Sequence, residues 1–182
     1  MNSEKTIKFD PAKQKTALVI ALLLLACNLA MNVYLMIVNG FSLHSVISII
    51  PCIILAGYAF PKSKKPHTSK LRTMFLVQAL FIGLNVSSPE YASTITTPIL
   101  VAIVVATAFM AGRLEKIDTN VKVMAVIALI LLALIFMHVF VYKNAGTMMD
   151  IINHFTQWVV LACIYFGRYE GNAVPADKKE KQ

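Results

Sequence analysis

The stretch of sequence that decides the fold runs from Val121 to Tyr142 and reads VKVMAVIALILLALIFMHVFVY. Every side chain from Val123 to Met137 is apolar. In a helix that rises 1.5 Å per residue, about 20 such residues cross the roughly 30 Å hydrocarbon layer of a bilayer. The stretch therefore predicts a membrane-spanning helix.

The rest of the chain has the same apolar character. Of its 182 residues, 58% are hydrophobic and 14% are charged, and the mean hydropathy is +0.69. Soluble domains carry about 25% charged residues, because polar side chains must cover much of their surface. The composition excludes a disordered protein, a disulfide-linked secreted scaffold and an ordinary cytosolic enzyme, and it indicates a membrane protein.

Six apolar segments can be delimited, and the distribution of charge favours crossing by all of them, including the short third and sixth. If all six cross, Lys143 is the only one of the 17 basic residues on the outer side. Short loops rich in Lys and Arg stay in the cytoplasm. We therefore predict an all-α integral membrane protein of the plasma (inner) membrane, with six transmembrane helices in three hairpins and both termini cytoplasmic. The predicted segments are 16–38, 42–60, 71–86, 92–112, 121–142 and 151–167.

The predicted membrane domain covers residues 16–167, between a basic cytoplasmic tail at 1–15 and a second cytoplasmic tail at 168–182. The excess of basic residues is explained by this topology and by attraction to anionic lipid headgroups. The basic loop around Lys62 and Lys65 lacks the interleaved aromatic residues that nucleic-acid binding requires. Nucleic acid is therefore excluded as a partner.

Missing residue types exclude further function classes. No Asp, Glu, Lys or Arg lies deep inside a segment, which argues against a carboxylate-driven proton or metal antiporter. No nucleophile elbow, P-loop or H-E-x-x-H motif is present, so an enzyme is disfavoured. Cys27, Cys52 and Cys163 lie in three different segments without zinc or redox spacing, and we predict that they are small apolar residues.

A layer of amide side chains is the first candidate site. Asn28, Gln78 and Gln157 lie near the middle of segments one, three and six, and Asn32 is one turn from Asn28. Together with Trp158 as an apolar wall, they predict a substrate-binding site for an uncharged or zwitterionic solute. The alternative is that the amides form interhelical hydrogen bonds, worth about 0.6–2 kcal/mol each.

Histidines near the predicted outer surface form the second candidate site. His44, His138 and His154 lie within about one helical turn of that surface, and Asp150 precedes His154 by one turn. Three imidazoles and a carboxylate are suitable ligands for zinc or another transition metal. His138 and His154 could instead ligate one haem. The alternative is that all three hydrogen-bond to water and headgroups.

Three functions follow from these observations. The leading hypothesis is a transport-type protein that uses the amide layer as its site. The second is a non-catalytic accessory or assembly subunit that contacts a membrane protein partner through helix 121–142. The third is a metal- or haem-binding protein that uses the outer histidines. In each case the lipid bilayer surrounds the chain.

Overall fold

The chain folds into six helices. The computed structural model describes residues 10–41, 43–60, 68–86, 96–114, 117–142 and 145–168, and these residues form no strand. The prediction of an all-helical fold is therefore confirmed, and the helices match the six apolar segments to within a few residues. They are α1 (Pro11–Asn39), α2 (Leu43–Ala59), α3 (Thr68–Val86), α4 (Thr96–Ala111), α5 (Ile117–Met137), which continues as a π-helical segment (His138–Tyr142), and α6 (Ala145–Arg168).

Helix α1 begins inside the predicted N-terminal tail. The Asp10 side chain accepts a hydrogen bond from the Ala12 amide at 2.9 Å, and Pro11 occupies the first turn. Both residues favour a helix start at this point, because a carboxylate satisfies a free amide and proline needs no donor there. At the other end of the helix, Gly40 has a φ of 85°. The last five residues of the predicted 1–15 tail, residues 11–15, are thus helical; the rest of that tail before Asp10 and the tail after Arg168 lie outside the described residues.

Two of the described helices are long and apolar enough to cross a membrane. They are the 28-residue stretch Pro11–Val38 and the 23-residue stretch Thr119–Val141. Helices α2, α3 and α4 contain shorter apolar stretches. Helix α6 has 24 residues but carries Asn153, His154 and Gln157 in its middle. By length and composition, two helices could therefore cross a membrane, and crossing by all six stays a prediction.

Hydrogen bonds near the helix ends show how α1, α2 and α6 are oriented. Gln14 Nε2 donates to Phe166 O at 3.2 Å, so the start of α1 lies beside the end of α6. Arg168 Nε donates to Tyr58 O at 3.0 Å, and its Nη2 donates to Phe60 O, so the ends of α2 and α6 lie together. Helix α1 therefore runs antiparallel to α2 and α6.

The starts of α3 and α5 and the end of α4 lie at the same end of the bundle. Arg72 Nε donates to Ala111 O at 3.0 Å, which places the start of α3 beside the end of α4. Asn120 Nδ2 donates to Tyr165 Oη at 3.3 Å, and the rings of Phe75 and Tyr165 pack edge to face at 5.5 Å. Odd-numbered helices thus start, and even-numbered helices end, at one end of the bundle. We call it the basic end, because every cation among the described side chains lies there: Lys13, Lys15, Arg72, Arg113, Lys122 and Arg168.

Helix α6 is the centre of the bundle. It contacts α1, α2, α3 and α5, and no residue from 151 to 168 is exposed. The outer surface is apolar, with Leu129 66% exposed and Phe140 67% exposed on the α5 side. Buried polar side chains lie inside, most of them amides. The interior of the described bundle thus contains polar side chains within an apolar core, and large apolar side chains also cover much of its outer surface.

Close packing of α1 on α6 depends on Gly167. A Cβ atom at this position would lie 2.6 Å from Leu18 Cγ and 3.0 Å from the Gln14 backbone oxygen. Both distances are shorter than ordinary van der Waals contact, so only glycine permits this approach without a shift of α1. The absence of a side chain at Gly167 therefore allows the start of α1 to lie close against the end of α6.

Candidate functional site

Five buried amide side chains and one thiol meet in the middle of the bundle. The amides are those of Asn28 and Asn32 on α1, Gln78 on α3, and Asn153 and Gln157 on α6, and each is at most 5% exposed. The thiol of Cys52 on α2 is 2% exposed. We call these six residues the amide cluster, which joins four helices.

The carbonyl oxygen of Asn153 is the centre of the cluster. It accepts hydrogen bonds from Asn28 Nδ2 at 2.6 Å, from Asn32 Nδ2 at 3.3 Å and from Gln157 Nε2 at 3.3 Å. An amide oxygen has two lone pairs. One of the three donors, Asn32 Nδ2, also donates to Asn28 O at 2.8 Å and to Asn28 Oδ1 at 3.1 Å. The site is therefore rich in N–H donors around one oxygen atom.

Further bonds connect α2 and α3 to this centre. Gln78 Nε2 donates to Gln157 Oε1 at 3.2 Å. Cys52 Sγ donates to Asn28 Oδ1 at 2.7 Å, and Gln157 Nε2 lies 3.9 Å from Cys52 Sγ. Each amide thus bonds to a side chain on another helix, which meets the need of a polar group buried among apolar residues.

Helical spacing explains which residues enter the cluster. Asn28 and Asn32 are one turn apart on α1, and Asn153 and Gln157 are one turn apart on α6. Residues four apart share a helix face, so two antiparallel helices bring both pairs together. Sequence reasoning found Asn32 by this spacing and missed Asn153, although the same spacing from Gln157 marks it. Nothing in the sequence distinguishes Cys52 from an ordinary apolar cysteine.

Trp158 does not join the amide cluster. Its indole Nε1 donates to Met124 O at 3.1 Å, so the ring faces α5. Adjacent residues on a helix point in different directions, and Gln157 and Trp158 accordingly face different neighbours. Trp158 thus lies on the α5 side of α6, and its predicted role as a wall of the amide site stays a prediction.

Trp158 instead lines a cavity of about 340 Å³ between α1, α5 and α6. Its lining combines small side chains with larger ones, among them the buried Met124 and Trp158. No residue of the amide cluster lines it. We call it the alanine groove, after Ala17, Ala125, Ala128 and Ala162.

The histidines are only partly described. His138 is 5% exposed, and its Nδ1 lies 2.8 Å from Leu134 O. In an α-helix that carbonyl would bond to the backbone amide of residue 138, and the π-helical segment begins at this residue. His154 on α6 is 2% exposed.

His44 lies in α2 and Asp150 lies in α6, but their side chains are outside the described ones. Among the described side chains, no three from His, Cys, Asp and Glu are grouped as metal ligands. A metal or haem shared by His138 and His154 therefore stays a prediction.

Comparison with family models, with curated proteins and with solved structures finds no match to this chain. Its function is therefore inferred from the chemistry of its own residues.

Proposed function

We propose that this chain is a six-span membrane protein with both termini in the cytoplasm. Three observations support the proposal. Apolar side chains cover the surface and polar ones are buried, which suits hydrocarbon surroundings. The helices alternate in direction, and every described cation lies at the basic end. That end is cytoplasmic under the rule that basic loops are retained inside.

Helices of different length fit this proposal. Helix α4 has 16 residues, equivalent to about 24 Å at 1.5 Å per residue. A span shorter than the hydrocarbon layer is accommodated by local thinning of the bilayer and by long flanking side chains. Helix α6 is long but polar, and its position inside the bundle keeps its amides away from lipid.

Within this bundle we propose that the amide cluster binds an uncharged or zwitterionic solute and takes part in its transport. The observation that carries the proposal is the convergence of three N–H donor groups on the single oxygen of Asn153. A solute carbonyl, hydroxyl or carboxylate oxygen can accept a hydrogen bond from one of these amide N–H groups in exchange for its bond to Asn153. The absence of a charged side chain in the described cluster suits a solute with no net charge.

A non-catalytic accessory or assembly subunit is the second candidate, with the outer face of α5 as the contact for its membrane partner. It is favoured by the mutual bonding of the amides, which also suits a purely structural role. In that case the cluster holds four helices together and binds nothing. The two candidates predict different effects of removing one amide. A binding site loses its ligand, whereas a structural cluster loses only stability.

The test is a thermal-shift screen of the purified protein in mild detergent against neutral and zwitterionic amino acids, sugars and nucleosides. A ligand at 100 times its dissociation constant stabilises its protein by about 2.7 kcal/mol, so a binder raises the melting temperature. We expect Gln78→Leu to abolish that shift while the fold survives.

Thr107→Val is the matched control for Gln78→Leu. Thr107 is also fully buried and polar, but its hydroxyl donates only to Ile103 O of its own helix, at 2.7 Å. We expect this variant to keep the ligand-induced shift. If no compound raises the melting temperature, and Gln78→Leu changes only the melting temperature of the free protein, the cluster is structural and the accessory role is favoured. Co-purification of a partner in mild detergent would then support that role.

A further inference from the structure

The alanine groove has the features of a binding site for an apolar chain. Its small side chains leave a recess of about 340 Å³ beside larger neighbours. The polar groups at its wall already have partners, since Trp158 Nε1 donates to Met124 O and Tyr165 Oη donates to Leu114 O at 2.7 Å. The Trp158 and Tyr165 donors are therefore already occupied, and the mostly apolar lining holds an occupant by apolar contact.

The size and position of the groove suit a lipid acyl chain. A methylene group takes up about the volume of a water molecule, roughly 30 Å³, so the groove accommodates roughly ten methylene groups. Ala125 lies on the exposed side of α5, so the groove opens outward. In the proposed membrane placement, this opening faces the lipid.

Positive charge lies about one helical turn from lining residues of the groove. Lys13 precedes Ala17 by four residues, and Lys122 precedes Ala125 by three, so each lysine shares a face with a lining residue. Both lysines are exposed. Lys13 stands in the first turn of α1, where the helix dipole also favours an anion, and Lys122 stands in the second turn of α5. The one acid among the described side chains, Asp10, caps α1.

We propose that the alanine groove binds an acyl chain of an anionic phospholipid, with the lipid headgroup between Lys13 and Lys122. The chain fills the apolar recess, and the phosphate lies at the level of the two ammonium groups. This site is separate from the amide cluster, but it rests on the membrane placement proposed above. Under that placement, the ligand comes from the cytoplasmic leaflet, where anionic headgroups attract Lys and Arg.

The single tryptophan of the chain provides the measurement, because Trp158 lines the groove. The protein is reconstituted into phosphatidylcholine vesicles in which either phosphatidylglycerol or phosphatidylcholine carries brominated acyl chains at equal mole fraction. Bromine quenches tryptophan fluorescence at close range. We expect brominated phosphatidylglycerol to quench Trp158 more strongly. We also expect this preference to decline as salt rises from about 0.1 M to about 1 M, since the Debye length falls to about 3 Å.

Charge variants test the headgroup contact. Lys13→Gln and Lys122→Gln should each lower the preference for the anionic lipid about fivefold, the effect of one lysine near a charged membrane surface. Lys15→Gln is the matched control, because Lys15 is exposed on α1 but stands two residues from Lys13 and so faces elsewhere. It should leave the preference unchanged.

Size variants test the chain contact. Ala125→Leu fills the groove and should reduce quenching by both brominated lipids. Ala133→Leu is its control, since Ala133 is an exposed alanine of the same helix and does not line the groove. Both positions are exposed, so neither substitution should disturb the core.

Three results would overturn the lipid proposal. Equal quenching by the two lipids, unchanged by either lysine substitution, would mean that the groove has no headgroup site. Absence of quenching in protein that floats with the vesicles would mean that something else covers the groove, such as a second copy of the chain. Protein that fails to float with the vesicles would overturn the membrane placement itself, together with this proposal.

Discussion

At the scale of single residues, Gly167 carries a sharp prediction. We expect Gly167→Ala to lower the free energy of unfolding by about 1–3 kcal/mol, the usual cost of forcing an extra carbon into a packed interface. The clash partners are Leu18 and the Gln14 backbone. Thermal unfolding in detergent measures the effect.

Gly57→Ala is the control for that substitution. A Cβ at Gly57 in α2 would meet nothing within 4 Å, so alanine there should be neutral or stabilising by up to about 1 kcal/mol, because alanine is the better helix former. Equal behaviour of the two variants would show that α1 and α6 do not depend on glycine for their approach.

The amide residues show how far single positions could be read from the sequence. Burial of Asn28, Gln78 and Gln157 was predictable, because an amide that faces lipid tails costs several kcal/mol. Their bonding partners were not predictable. The central role of Asn153 depends on the relative height of α1 and α6, which no periodicity reveals. Cys52 was missed because a thiol in an apolar segment carries no polar signal.

At the scale of helices, two arginines close the ends of neighbouring helices. Arg168 of α6 bonds to the last carbonyls of α2, and Arg72 of α3 bonds to the last carbonyl of α4. A helix end leaves up to four carbonyls without partners, and a cation there also opposes the negative end of the dipole. Sequence patterning placed these arginines at the basic end, but it could not reveal that Arg168 points inward.

Arg168→Met should therefore destabilise the bundle. Methionine keeps much of the length of the side chain but donates nothing to Tyr58 O and Phe60 O. A hydrogen bond to a charged group is worth about 1.5–3 kcal/mol, so loss of both should lower the free energy of unfolding by at least that amount. Denaturation in detergent, followed by circular dichroism, measures the change.

Arg113→Met is the matched control, because Arg113 also follows a glycine at the end of an even-numbered helix. It is exposed, and its guanidinium lies over the Phe109 ring at 4.3 Å. A cation–π contact at an exposed site is worth about 0.5–1 kcal/mol. A cost for Arg113→Met as large as that for Arg168→Met would contradict the assignment of Arg168 as a helix cap.

The six helices were predictable from the sequence, because apolar runs bounded by turns and charges mark them. The π-helical segment at His138–Tyr142 was not predictable in this way. It begins where the His138 side chain takes the Leu134 carbonyl, and a sequence of apolar residues around one histidine does not specify that competition.

At the scale of the whole molecule, the topology is open to direct test. We expect a reporter fused after Gln182 to be cytoplasmic, and a reporter fused after a chain that ends at Asn144 to lie outside. The reason is the concentration of basic residues at one end of an alternating bundle. Reporter enzymes that are active on only one side of the membrane measure both fusions.

The two fusions distinguish two ways in which the predicted topology could be wrong. An external reporter after Gln182 together with a cytoplasmic reporter after Asn144 would mean that the topology of the whole chain is the inverse of the predicted one. Both reporters on the same side would mean that α6 does not cross, although it is the central helix of the bundle.

The central place of α6 has a consequence for biosynthesis. Helices α1 to α5 precede it in the chain and leave the ribosome first, at roughly 5–20 residues per second. Until α6 follows, Asn28, Cys52 and Gln78 lack their bonding partners on that helix, and the last turn of α2 lacks its arginine. Completion of the amide cluster is therefore a late event that depends on the arrival of one helix.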